Sequence, residues 1–162
     1  MLTFRRRNIL TDDDSRVWLR NALGNTRKCY LFTIDAWVLL PDHLHCIWTV
    51  PENDNDFSVR WNDIKRQFTK SAKDSLHKPE WLNVSKQKHR EGSIWQRRFW
   101  EHQIRDDNDY QRHMNNPVKH GLVKAVSEWP YSTFHRYVNQ GIYSVNWGDN
   151  NLIQDGDMDY GE

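Results

Sequence analysis

The sequence predicts an α+β sandwich, with helices on one face of an antiparallel sheet. Three observations support this. Two apolar runs flank a Pro41-Asp42 turn, which reads as a β-hairpin. Two stretches repeat apolar residues at helical spacing, Leu19, Ala22 and Leu23 in one and Phe57, Trp61, Ile64, Phe68 and Ala72 in the other. The coarse order along the chain is β, α, β-β, α, β, α.

Length and composition allow one domain with a real core. The chain has 162 residues, and its modest hydrophobic fraction of 37% is offset by nine Trp, six Tyr and six Phe, so burial is concentrated in large rings. Cys29 and Cys46 make no disulfide framework and read as free thiols in a reducing cytoplasm. No apolar run approaches a membrane span and no signal-peptide pattern opens the chain, so the expectation is a cytoplasmic protein without a membrane partner.

Each element has a local reason. Leu2-Thr3-Phe4 reads as a short strand end running into Arg5-Arg6-Arg7. A helix follows Asp12-Asp13-Asp14, with acids at its start and Gly24 marking its end. Cys29 to Leu40 is rich in β-branched and aromatic residues and pairs with Leu44 to Val50. Pro51 to Asp56 is turn-rich and leads into the second helix, whose apolar stripe reads as core, with Arg60, Lys65, Arg66, Lys70 and Lys73 on other faces. Ser75 to Gly92 lacks periodicity and reads as a mobile basic loop. Ile94 to Arg105 reads as a strand, and Asp106 to Asp109 caps a helix starting near Tyr110 and ending by Asn116-Pro117. Trp129 to Tyr137 packs aromatic residues around a proline turn.

Function concentrates in Leu40-Pro41-Asp42-His43-Leu44-His45. Alternate residues of a strand share a face, so His43 and His45 point one way while Leu44 enters the core. Two imidazoles on a rigid strand are either ordinary strand histidines or half of a metal site. As a metal site they leave room for a third ligand and for a substrate oxygen polarised by a divalent ion.

The charge distribution suggests a polyanionic partner. The net charge of +1 conceals a body of +6 over residues 1–148 and a tail of −5 over residues 149–162. The tail reads as flexible solvating sequence, or as a segment that competes with nucleic acid for a basic groove. Aromatic and basic residues interleave in Ile94-Trp95-Gln96-Arg97-Arg98-Phe99-Trp100, a pattern that either stacks unpaired bases and holds phosphates or forms a half-buried strand with a basic edge. That stretch alone also fits a single-stranded RNA-binding module.

Four motifs in order carry a resemblance: Leu40-Pro41-Asp42-His43-Leu44-His45, Ile94-Trp95-Gln96-Arg97-Arg98-Phe99-Trp100-Glu101-His102, Asn116-Pro117-Val118-Lys119-His120-Gly121 and Trp129-Pro130-Tyr131-Ser132-Thr133-Phe134. Together they resemble the REP-associated tyrosine transposases, members of the single-tyrosine His-hydrophobic-His transposase superfamily. The resemblance implies a ferredoxin-like domain over residues 1–148. It also implies cleavage and rejoining of single-stranded DNA beside a palindromic hairpin through a 5′-phosphotyrosine link, by a bacterial protein acting at the nucleoid as a monomer or homodimer. It assigns His43, His45 and Asn116 to a divalent ion, magnesium or manganese, and makes Arg97, Arg98, Lys65, Arg66 and Lys119 the candidate DNA contacts.

The nucleophile departs from the family pattern. A tyrosine is expected one helical turn before the Asn, and Arg112 stands there, as though about four residues including the tyrosine were absent. Tyr110 is the only tyrosine in this helix and hence the candidate nucleophile; its alternative role is an aromatic packed at a helix start. The chain therefore reads either as a DNA-cleaving enzyme or as a hairpin-binding relative without a nucleophile.

Overall fold

The computed structural model describes residues 1–148 apart from Arg90, Arg98 and Trp100. The acidic tail, with the proposed division at residue 148, lies outside the described residues.

The centre is an antiparallel pair, β1 (Thr33–Leu39) and β2 (Leu44–Thr49), joined across Pro41-Asp42 as the sequence indicates. Short bridges widen it: Leu2 pairs with His43, Thr3 with Trp95, and Val38 with Ser132, all antiparallel. The order across the sheet is thus Trp95, Leu2-Thr3, β2, β1, Ser132.

Two long helices cover one face. Helix α1 (Asp13–Cys29) has Asp13 and Asp14 in its first turn and Arg27 and Lys28 in its last, which suits the helix dipole. It does not end at Gly24. Thr26 is buried, and its hydroxyl donates to Asp63 Oδ2 at 2.8 Å, tying the last turn to the neighbouring helix. That neighbour is α2 (Phe57–Leu76), whose Trp61, Ile64, Phe68 and Ala72 form the expected buried stripe. They pack with Leu19, Ala22, Leu23, Phe32, Leu39 and Leu44.

Arg60 departs from the outward position expected of it and is only 2% exposed. Its charge is sustained by Asp54, by the Asp56 carbonyl at 3.0 Å and by the Leu31 carbonyl at 2.8 Å. The guanidinium in turn holds the Asp54 carboxyl down at about 2.

The opposite face is covered as well, contrary to the expected one-sided arrangement. Ala36, Val38 and Leu40 alternate with the residues of the first core and form a second one with Met114, Val126 and Phe134. A sheet apolar on both sides needs cover on both. The second cover comes from α4 (Asp107–Met114), the 3-10 turn Val126–Glu128 and α6 (Phe134–Asn139), while α5 (Asn116–Lys119) follows directly on α4. The α+β class, with helices packed on an antiparallel sheet, stands.

Two segments differ from expectation. The basic loop after α2 is structured by a 3-10 turn, Pro79–Trp81, and by α3 (Val84–Lys88), where Asn83 Oδ1 accepts from the Lys86 amide at 2.9 Å. The Lys86 ammonium sits 3.6 Å from the centre of the Phe4 ring and donates to the Gly92 carbonyl at 3.2 Å. Among its described residues, the expected strand from Ile94 to Arg105 is only a bridge at Trp95. Its partner, Leu2-Thr3, turns away at once into the 3-10 turn Phe4–Arg6, which ends the ladder.

Lys65 fixes the exit from that bridge, donating from Nζ to the Gln96 carbonyl at 2.9 Å. Burial pushes its amine down to about 8. The unfolded lysine titrates at about 10.4, so between these values the unfolded chain binds more protons and stability gains from rising pH. Lys65→Met is expected to remove that gain. Urea denaturation of both proteins from pH 7 to 10.5 checks it, through a difference in midpoint that changes with pH.

Candidate functional site

Strand alternation places the histidines. Leu44 is 1% exposed in the first core, while His43 and His45 project toward the face covered by α4 and α5. A third imidazole meets them from α5, whose C-terminal cap is His120. The chain then turns away at Gly121, where φ is +66°, in the left-handed region glycine adopts without steric cost.

The His43 ring centre lies 4.9 Å from that of His45 and 4.8 Å from that of His120. One ring nitrogen from each of the three lies within 4.8 Å of the others, and all three Nε2 atoms are buried. His43 Nδ1 is 2.6 Å from Asp42 Oδ1, and Asp42 Oδ2 is 2.7 Å from Arg6 Nε. Burial, followed by the charge of His43, pushes His45 down to about 2. His45 is therefore a neutral imidazole at physiological pH, the form that ligates metals.

A cleft of about 670 Å³ opens beside β2 from this cluster. Its walls include Trp48 stacked on Trp61 with ring centres 4.3 Å apart, Phe57, and Phe99 and Ile104 from the segment after the Trp95 bridge. Two further imidazoles continue the row: His113 of α4 lies 5.6 Å from His45, and His102 lies 5.3 Å from His113. Behind them is the buried carboxylate of Asp109, 3.0 Å from Arg105 Nε and 3.7 Å from His102 Nε2. Aromatic walls beside a row of imidazoles can stack planar rings while polar nitrogens face an anion or a cation.

The residues singled out from sequence are distributed unevenly around this cleft. His43 and His45 are in it. Asn116 is buried at the start of α5, and its Nδ2 donates to the His113 carbonyl at 3.0 Å. Tyr110 is half-buried against the second core and does not line the cleft. Burial raises its phenol well above the usual range, and hydrogen bonding with Tyr137 adds to the shift. No tyrosine among the described residues lines the cleft.

Of the cations, Lys65 is turned to the Gln96 carbonyl, Arg66 pairs with Asp63, Arg97 lies 3.4 Å from Glu91, and Lys119 is exposed on α5. Arg98 lies outside the described residues. Sequence reasoning did not single out His120, His113 or His102. A signal existed for two of them: His120 follows Asn116 by one helical turn and His113 precedes it by three residues, spacings that bring side chains together on a helix.

No family model matches the chain. Curated relatives do. An Escherichia coli K12 protein named REP-associated tyrosine transposase is 48% identical over 133 residues, covering 80% of this chain and 70% of that protein. A Haemophilus influenzae relative assigned to the same family is 43% identical over 154 residues, covering 93% of this chain and 85% of its own length. The structure is also similar to that of a REP-associated tyrosine transposase bound to a REP hairpin, with TM-score 0.75 and 43% identity over 99% of this chain and 87% of that one. With identity of this extent across most of each sequence, this chain belongs to the REP-associated tyrosine transposase family.

Proposed function

We propose that this protein is a metal-dependent transposase that cleaves and rejoins single-stranded DNA beside a REP-type palindromic hairpin. The observation that carries the reading is the convergence of His43, His45 and His120, with buried Nε2 atoms, where His43 and His45 also line an aromatic cleft. These residues suit a divalent cation, and three imidazoles suit manganese better than magnesium, which prefers oxygen donors. Asn116 Oδ1 is a further candidate donor, its Nδ2 being anchored on the His113 carbonyl. When bound, such an ion polarises a phosphate oxygen and stabilises the charge that develops there.

The chain's own residues would do the rest. Trp48, Trp61 and Phe99 would receive unpaired bases by stacking, while Arg97 and Lys119 would hold backbone phosphates, with Arg66 and Arg98 as further contacts. In the transfer, a tyrosine oxygen forms a bond to phosphorus as the bond to the 3′ oxygen breaks. The 5′ phosphate is then held on tyrosine, and the phenol proton ends on the freed 3′-hydroxyl. Rejoining reverses these changes.

A cleft without a tyrosine among the described residues favours a second reading, in which the protein binds the hairpin without cutting it. Tyr110 remains the sequence-derived candidate nucleophile, but its desolvated phenol in the second core favours a packing role.

A labelled hairpin oligonucleotide incubated with protein and manganese separates the two readings. The transposase leaves a covalent protein–DNA adduct on a denaturing gel, with peptide mapping to name the tyrosine. Tight binding without an adduct supports the binding-only protein. Replacing both His43 and His45 by Ala is expected to abolish manganese binding in calorimetry while the circular dichroism spectrum is retained; unchanged affinity would remove the metal site. Arg97→Ala is expected to weaken hairpin binding and to reduce the slope of log affinity against log salt by about 1.

A further inference from the structure

Beside the proposed metal site stands a carboxylate that the transfer itself does not use. Asp42 approaches His43 Nδ1 at 2.6 Å with one oxygen and Arg6 Nε at 2.7 Å with the other. Its backbone is fixed as well: the Asp42 carbonyl accepts from both the amide and the hydroxyl of Thr3, each at 2.9 Å, and Thr3 is fully buried. The turn that carries Arg6 is built from two consecutive left-handed arginines, Arg5 at φ 59° and Arg6 at φ 54°, a conformation L residues seldom adopt. The Leu2-Thr3 bridges thus run into a shaped turn that sets an arginine on this carboxylate.

An imidazole tethered through Nδ1–H to a carboxylate presents the lone pair of Nε2 and is more basic there. We propose that Asp42, oriented by Arg6, is a positioning residue that locks His43 in the Nδ1–H tautomer and so makes Nε2 its donor to a divalent cation. This rests on the metal reading above. It extends the site to the amino-terminal segment, because the orientation of a ligand immediately before β2 is then set by a side chain from residues 4–6. Arg6 is 40% exposed at its side chain, so the outer end of the relay is open to substitution without disturbing a core.

The test combines manganese titration by calorimetry with nitrogen NMR of the metal-free protein, which reports the His43 tautomer directly. In Asp42→Asn the amide can donate to the ring, favouring the Nε2–H tautomer. Manganese affinity is expected to fall ~10- to 100-fold, with the NMR signature moving to that tautomer. Arg6→Gln is expected to keep the tautomer and weaken binding by several-fold, and it decides the matter should Asp42→Asn fail to fold. An unchanged tautomer in Asp42→Asn, or affinities within about twofold of the wild type in both variants, overturns the relay while leaving the metal site intact. A wild-type protein that binds no manganese overturns the metal reading and the relay together.

Discussion

The pairing of β1 with β2 is the constraint on which the rest depends. Because side chains alternate along a strand, one register decides that Leu44 enters the core and that His43 and His45 face the other way. A slip of one residue would exchange them, burying imidazoles under α1 and α2 and turning leucine toward α4 and α5. The register is held by the hairpin at Pro41-Asp42 and by the first residues, where the Met1 ammonium donates to the Leu44 carbonyl and the Thr3 amide to the Asp42 carbonyl, both at 2.9 Å. Stability and ligand geometry therefore share one set of backbone bonds.

The two faces of this sheet have different work. Under α1 and α2 the packing is dense and aromatic, with Phe68 set edge-on to Trp95 at 4.8 Å between ring centres. On the other face the cover is made of short helices, and there a histidine from α5 meets two from the strand. Short helices joined by tight turns bring side chains from several points of the chain to one place, whereas the long pair provides rigidity. The buried charges follow the same division. Arg60 and its partners brace the entry to α2, while Asp42 and Asp109 stand behind imidazoles.

Much of this was legible in the sequence because its signals are local. The hairpin follows from two apolar runs around Pro41-Asp42, and the α2 stripe from a single period. What was not legible depends on contacts distant in sequence. Gly24 reads as a stop, but Thr26 bonding to Asp63 carries α1 five residues further. Arg60 reads as a surface cation until Asp54 and the Leu31 carbonyl fold around it. Ile94 to Arg105 has strand composition but only a two-residue partner. His43 and His45 stood out because strand alternation joins them, whereas the one-turn spacing of His120 from Asn116 is local and says nothing of the distant strand it meets.

The central claim is that imidazoles from the start of β2 and the residue before it, and from the end of α5, converge on one divalent ion. Diffraction from a manganese-soaked crystal at the manganese absorption edge tests it directly. The account predicts a single strong anomalous peak within bonding distance of the Nε2 atoms of His43, His45 and His120. A peak elsewhere on the chain, or none at saturating manganese, would contradict it.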